Sequence, residues 1–189
     1  MKKVLIIDCG SNKTKDIISI VETNGFEAER WYLYYPSIDF KLKLNEYPNK
    51  VCLIKKVDEQ VEIKEFDEVS LKEFHSIIFS GGGLLSNVQN EIQNYFNHLL
   101  QIEKPVLGIC FGHQVIGLVH GANIYKLDTL ITGDYKVDFL KEPEIIKEPK
   151  LIEQALFAKN HAESINLPKE FNLIAHSETC QNEMMQHQS

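Results

Sequence analysis

The sequence predicts an α/β fold: a three-layer, mostly parallel open sheet with helices on both faces, followed by a small antiparallel β portion in the C-terminal third. Three observations point there. Short apolar runs without polar alternation (Val4–Ile7, Ile77–Phe79, Val106–Ile109) suit strands buried on both faces. Stretches of helical periodicity alternate with those runs, the pattern of βαβ units. Beyond Ala122 the helical pattern gives way to short β-like runs.

The elements follow in order. Val4 to Ile7 is the first buried strand. Gly10-Ser11-Asn12-Lys13-Thr14 is a polar turn, and Ile17, Ile18, Ile20 and Val21 recur at roughly helical spacing up to a stop at Asn24-Gly25. Phe26 to Tyr35 reads as a second strand ended by Pro36, which completes a βαβ unit. Its aromatic run Trp31-Tyr32-Leu33-Tyr34-Tyr35 suits core and edge-strand packing better than base stacking. Residues 36 to 50 are polar and irregular and receive no assignment. Val51 to Val57 suits a strand, and Glu59 to Glu68 suits a helix and an edge hairpin equally. His75 to Phe79 is a buried strand running into Ser80-Gly81-Gly82-Gly83. From Asn87 to Gln101, a helix would place Val88, Ile92, Tyr95, Phe96, Leu99 and Leu100 on one face. Lys104-Pro105 breaks it. Val106 to Ile109 reads as a third central strand, and Gly112 to His120 as the helix after it. The β-like runs are Ala122–Tyr125, Tyr135–Leu140, Phe157–His161, Leu173–His176 and Glu183–Gln186. The charged, proline-bearing segment from Lys141 to Lys150 reads as a solvated loop.

Composition narrows the function. The 189 residues suit one domain spanning 1–189. With 43% hydrophobic and 25% charged residues, general disorder is disfavoured. A formal net charge of -7 argues against a duplex nucleic-acid binder, which needs a basic face. No apolar run approaches the roughly 18–20 residues of a membrane span, and the four-residue run before Asp8 is too short for a signal peptide. Cys9, Cys52, Cys110 and Cys180 form no CxxC pair, so free thiols in a reducing cytoplasm are expected. The cysteines and histidines show no structural-zinc spacing, and neither metal nor cofactor is expected. Asp8, Asp134 and Glu163 are scattered and read as caps, surface charges or loop contacts.

The most informative segment is Pro105-Val106-Leu107-Gly108-Ile109-Cys110-Phe111-Gly112-His113-Gln114. It sets Cys110 in a Gly-x-Cys-x-Gly frame between a buried strand and a helix. Small residues on both sides allow a sharp turn that lifts the central side chain above the sheet, as in the Gly-x-Ser-x-Gly elbow of hydrolases. A helix N-terminus favours a thiolate, and the N–H of Phe111 faces the space where an oxyanion would form. A buried core cysteine is the competing reading. Ser80-Gly81-Gly82-Gly83 suits a second oxyanion donor. No Gly-Lys-Ser/Thr follows it, which excludes a Walker A loop, and no Gly-x-Gly-x-x-Gly opens a helix.

Taken together, Pro-Val-Leu-Gly-Ile-Cys-Phe-Gly-His-Gln preceded by Ile-Ile-Phe-Ser-Gly-Gly-Gly resembles the class I (triad-type) glutamine amidotransferases, and most nearly the glutaminase subunit or domain of GMP synthase. The opening Val4 to Ser11, the stretch Asn160-His161-Ala162-Glu163-Ser164 with Leu167-Pro168, and Ala175 to Cys180 fit as well. The resemblance covers nearly the whole chain and is poorest over 36–70. It implies a flavodoxin-like fold and a glutaminase that releases ammonia through a cysteine thioester, for use by an ATP pyrophosphatase-type synthetase subunit. It implies Cys110 as nucleophile, the N–H groups of Gly82 and Phe111 as oxyanion hole, and Gln114, Asn160 and His161 as glutamine contacts.

The family's base, a histidine in a His-Pro-Glu segment, has no counterpart in this sequence. None of the seven histidines is assigned that role; His113 reads as packing. The expectation is that the chain is truncated before that strand, which would expose a sheet edge and lower stability. A base lent by a partner is the least favoured explanation. A glutaminase-like binding or regulatory module without turnover remains the alternative function, and a γ-glutamyl hydrolase or cysteine peptidase is a third reading.

Overall fold

A computed structural model describes residues 1–36, 38, 40, 42–58, 60–142 and 154–188. They form two compact units, Met1–Val119 and His120–Ser189. Residues 143–150 of the expected charged loop lie outside the described residues.

The first unit is built on a six-stranded sheet. Its strands are β1 (Lys3–Asp8), β2 (Glu27–Tyr34), β3 (Cys52–Val57), β4 (Gln60–Lys64), β5 (Phe74–Phe79) and β6 (Val106–Gly108), in the order β4-β3-β2-β1-β5-β6. β1 pairs in parallel with β2 and β5, and β5 pairs in parallel with β6. β3 and β4 add an antiparallel hairpin at the other edge. The open choice over 59–68 thus resolves as an edge hairpin, turned at Asp58 (φ 53), and a short 3-10 turn at Phe66–Glu68.

Alternation along the strands makes the layers. Val4, Ile6 and Ile78 face helix α1 (Thr14–Thr23) and pack with Ile17, Ile18, Val21 and Phe26. Phe79, next to Ile78 and so on the opposite face, meets Phe96 at 5.0 Å beyond helix α2 (Gln89–Tyr95). Gly112 of helix α3 (Phe111–Val119) sits against Phe79 on the same side. Helices therefore cover both faces, giving the expected three layers.

α1 ends where Asn24-Gly25 predicts a stop. Gly25 has φ +82, its N–H donates to the Glu22 carbonyl at 3.0 Å, and the Phe26 N–H donates to the Val21 carbonyl at 3.3 Å. That pair of bonds is a Schellman termination, and Phe26 and Val21 also meet in the core.

Two expectations are corrected. β6 is an edge strand among the described residues, with Leu107 48% and Ile109 40% exposed. Its three-residue apolar run does not carry enough pattern to separate edge from centre. The expected long helix stops at Tyr95 and continues as a 3-10 segment, Asn97–Gln101, which turns Leu100 to solvent. The described residues of 36–50 have no regular element, in keeping with the range's having no assignment, and Ile38, Phe40, Leu42 and Leu44 pack on Tyr34, Cys52 and Ile54. Their spacing of two is a one-sided pattern in the sequence that the intervening charges mask.

The second unit is a four-stranded antiparallel sheet. It holds β7 (Ile124–Phe139), β8 (Gln154–Ile165), β9 (Phe171–His176) and β10 (Met184–His187), in the order β10-β9-β7-β8. The expected runs Ala122–Tyr125 and Tyr135–Leu140 fuse into the single strand β7. Its pairing with β8 shifts register between Lys126 and Ile131. A buried ammonium organises the loop before β10: Lys159 Nζ donates to Ser177 Oγ at 2.7 Å and to Thr179 Oγ1 at 3.0 Å, and it pairs with Glu183. Buried ionic groups persist only when so satisfied.

Burial also sets a pH limit. It raises the Cys52 thiol to about 11 and the Tyr35 phenol to about 12, and pushes Cys9, Cys180 and Tyr95 up as well. These groups hold their protons more tightly when folded, so the unfolded chain ionises first. Their contribution is complete below the unfolded thiol value and is lost as pH rises through the folded ones. We expect the urea midpoint to fall steadily from about pH 8.5 upward. A midpoint that stays flat to pH 11 would show these groups to be solvated.

Candidate active site

The site grows from the junction of β6 and α3. Cys110 has φ 52, a left-handed backbone that costs a non-glycine residue on the order of 1–3 kcal/mol. The neighbouring glycines show what enforces it. A Cβ on Gly108 would strike the Gly112 carbonyl group and come within 2.5 Å of the His113 nitrogen. A Cβ on Gly112 would strike the Phe79 Cβ and come within 2.6 Å of the Phe79 carbonyl oxygen. Strand and helix thus meet with no room for a methyl group. The backbone is bound across the same gap: the Ile109 N–H donates to the Phe79 carbonyl at 3.0 Å, and the Gly112 N–H donates to the Ser80 carbonyl at 3.2 Å. Cys110 takes the turn between these contacts, and its residue is exposed while Cys9, Cys52 and Cys180 are buried. The competing reading of Cys110 as a core thiol is thereby excluded.

The glycine loop lies beside the elbow. A Cβ on Gly81 would be 3.7 Å from the Cys110 Cβ. Gly82 forms an isolated antiparallel bridge with Gly10. A Cβ there would strike the Cys9 carbonyl oxygen and come within 3.0 Å of the Phe111 ring. Phe111 is the first residue of α3, where no intrahelical acceptor exists for its N–H. Gln114 is one turn further, with its N–H donating to the Cys110 carbonyl at 3.0 Å and its side chain buried.

Two residues to which the sequence pattern alone gives no site role hold this loop. Ser80 is fully buried: its N–H donates to the Ile7 carbonyl at 3.0 Å, and its Oγ accepts from the Cys9 N–H at 2.9 Å and donates to the Gly81 carbonyl at 2.9 Å. Asp8 is 1% exposed and accepts from the Gly10 N–H at 2.9 Å and the Thr14 hydroxyl at 2.8 Å, while Arg30 Nε donates to it at 3.0 Å. Asp8 is therefore a buried anchor of the turn that faces Gly82. Its signal in the sequence is a carboxylate placed at the end of an otherwise apolar strand.

Cys110, Phe111, Gly82, Gly81 and Gln114 come together in the first unit. Asn160 and His161 belong to the second, on β8, opposite Thr132 and Ile131 of β7. His161 Nδ1 lies 3.1 Å from the Glu163 carbonyl oxygen. His113 is half-buried on α3.

The family model described as "Glutamine amidotransferase class-I" matches residues 5–189. The chain belongs to the class-I glutamine amidotransferases. It is 31% identical over 123 residues to a glutamine-hydrolyzing GMP synthase subunit of Pyrococcus furiosus, a match covering 65% of this chain and 64% of that protein. The protein with the same description from Methanocaldococcus jannaschii is 35% identical over 121 residues, covering 64% of this chain and 61% of its own length. The chain thus matches somewhat over three-fifths of the length of these curated relatives. Among solved structures, a protein from Thermoplasma acidophilum, described as a GMP synthase subunit, superposes with a TM-score of 0.75 at 22% identity, covering 100% of this chain and 79% of that one. A glutamine amidotransferase from Thermotoga maritima gives 0.64 at 21% identity, covering 98% and 71%. These two likenesses establish the α/β fold. Among the described residues, no helix is long and apolar enough to cross a membrane.

The elbow makes a prediction about stability. Replacing Gly112 by Ala gains at most about 1 kcal/mol of helix propensity. The new methyl meets the backbone of Phe79, which cannot rotate away, and overpacking of this kind costs about 1–3 kcal/mol. We expect Gly112→Ala to unfold at lower urea than the parent. Equal or higher stability would show that the helix does not approach the strand this closely.

Proposed function

We propose that residues 1–189 act as one amidotransferase domain, a glutaminase that splits the side-chain amide of glutamine and supplies ammonia to a synthetase subunit. The observation that carries this reading is the exposed Cys110 at φ 52, held above the sheet between two glycines that admit no side chain. In the proposed reaction the Cys110 sulfur, as thiolate, attacks the amide carbon of the glutamine side chain. The carbonyl electron pair moves to oxygen, where the N–H groups of Gly82 and Phe111 receive it. Collapse of this intermediate breaks the C–N bond, the nitrogen takes up a proton, and ammonia leaves with a thioester behind. Water then adds to the thioester carbon, and glutamate and the free thiol are released. Within the first unit, Gln114 is proposed to hold the glutamine; for Asn160 and His161 a glutamine contact is proposed from the family resemblance alone.

The curated relatives carry the words "GMP synthase" and "glutamine-hydrolyzing" in their descriptions. These words support a GMP-forming synthetase as the proposed partner; an ATP pyrophosphatase-type subunit and a cytoplasmic location are proposed from the family resemblance. No histidine of the chain is assigned as base, because none stands in a His-Pro-Glu sequence. The alternative reading is a domain that binds glutamine without turning it over.

Both readings place glutamine beside Cys110, and they separate in two measurements. A glutamine-derived electrophile should label Cys110 and spare the buried Cys9, Cys52 and Cys180, as read by peptide mass spectrometry. An unlabelled Cys110 in folded protein would remove both readings. Ammonia release from glutamine, measured with and without the synthetase, decides turnover. Where release is found, Cys110→Ser should lower it by at least about 100-fold; release that persists in that variant would discard the thioester.

A further inference from the structure

Three side chains converge in the second unit, outside anything the glutaminase reading uses. His120 Nδ1 lies 3.0 Å from Oε2 of Glu170, and His187 Nε2 lies 3.7 Å from the same oxygen. One ligand atom from each residue falls within 4.8 Å of the other two. We propose that His120, Glu170 and His187 form a binding site for a late first-row divalent cation, with Zn2+ as the reference ion.

The donor set selects the ion. Two imidazoles and one carboxylate suit Zn2+ and its neighbours, whereas Mg2+ and Ca2+ take oxygen ligands. Four-coordinate zinc with bonds of about 2.0–2.2 Å sets its donors roughly 3.3–3.6 Å apart. The two measured separations, 3.0 and 3.7 Å, straddle that range. The third pair, one nitrogen from each imidazole, lies within 4.8 Å. Three protein ligands leave one position of the tetrahedron for water, and Glu170 is two-thirds exposed, so the site is open to solvent.

The scaffold holds the ligands in place. Phe171 packs edge-on against both imidazoles, at 5.0 Å from each ring centroid. His187 is paired with Phe171 across β9 and β10, and the Gln188 N–H donates to the Glu170 carbonyl at 3.0 Å. The backbones that carry Glu170 and His187 are therefore fixed to each other before any ion arrives. A surface ion pair needs one histidine for one carboxylate. Here two rings are directed at a single oxygen, the arrangement that a shared cation accounts for.

Sequence spacing conceals the site. The ligands are 50 and 17 residues apart, unlike the close pairs of zinc fingers. A bound ion would join the start of the second unit to β10 and stabilise the folded state by mass action.

The test titrates Zn2+ into the tag-free full chain, with the exposed Cys110 thiol alkylated, in competition with a chromophoric chelator. One equivalent should bind at micromolar Zn2+ and raise the melting temperature. X-ray absorption of this unmutated, zinc-loaded protein should show nitrogen and oxygen donors with scattering from two imidazoles. His120→Gln and His187→Gln should each weaken binding by more than the roughly 10–100-fold typical of outer-shell losses. Absence of binding at micromolar Zn2+, a shell containing sulfur, or undiminished affinity in both variants would overturn the site. Failure of the glutaminase assays leaves these readouts untouched.

Discussion

Everything at the candidate site depends on how closely α3 approaches β5 and β6. Gly108 and Gly112 have no side chain because the other backbone occupies that space. Once strand and helix touch, the residue between them has little freedom, and Cys110 adopts a left-handed φ of 52. The strain, on the order of 1–3 kcal/mol, is tolerated because the contacts on both sides over-determine the turn. The exposed sulfur is thus a consequence of packing elsewhere. The two backbone bonds to Phe79 and Ser80 extend the same constraint into the neighbouring strand.

A second set of restraints places the glycine loop. Ser80 is tied to the end of β1 by its N–H and its hydroxyl, and it receives the Gly112 N–H with its carbonyl. One buried residue therefore joins β1, the Gly81-Gly82 backbone and the start of α3. Asp8 does similar work on the opposite loop, where it holds Gly10, Thr14 and Arg30. Since Gly10 bridges to Gly82, the two loops share one geometry. A buried carboxylate satisfied by two neutral donors and a guanidinium costs little to keep. Loss of any one partner would leave charge or polarity stranded in the interior.

The sequence was readable where a feature is local. The buried runs of β1 and β5, the Asn24-Gly25 stop and the Gly-x-Cys-x-Gly frame each depend on a few adjacent residues, and each has its expected structure. It was less readable where the outcome depends on distant neighbours. Whether β6 lies at an edge is decided by what pairs with it, and Val106-Leu107-Gly108 looks the same in either place. The stretch Ile38, Phe40, Leu42, Leu44 does carry a period of two, but the polar residues between made it look like plain loop. The helix after Val88 changes to 3-10 at Phe96, a ring that is pinned between Phe66 and Phe79 at 5.0 Å from each. No local propensity reports that contact. The meeting of His120, Glu170 and His187 depends on the register of β9 and β10 and was invisible for the same reason.

Positioning and proton transfer are separable parts of the proposed chemistry. The contacts described at the Cys110 turn lie within residues 7–113 of the first unit. Attack on an amide also requires the thiolate, and an unassisted thiol supplies only a few per cent of it at neutral pH. Oxyanion donors do not themselves carry protons. They lower the barrier to the tetrahedral species by about 3–4 kcal/mol each, while the departing amine still needs a proton before it leaves. Capture of a reactive analogue, whose leaving group asks for no such help, therefore makes a smaller demand on the site than turnover of glutamine itself. Covalent labelling reports the elbow, ammonia release reports the base, and the two measurements address different parts of the molecule.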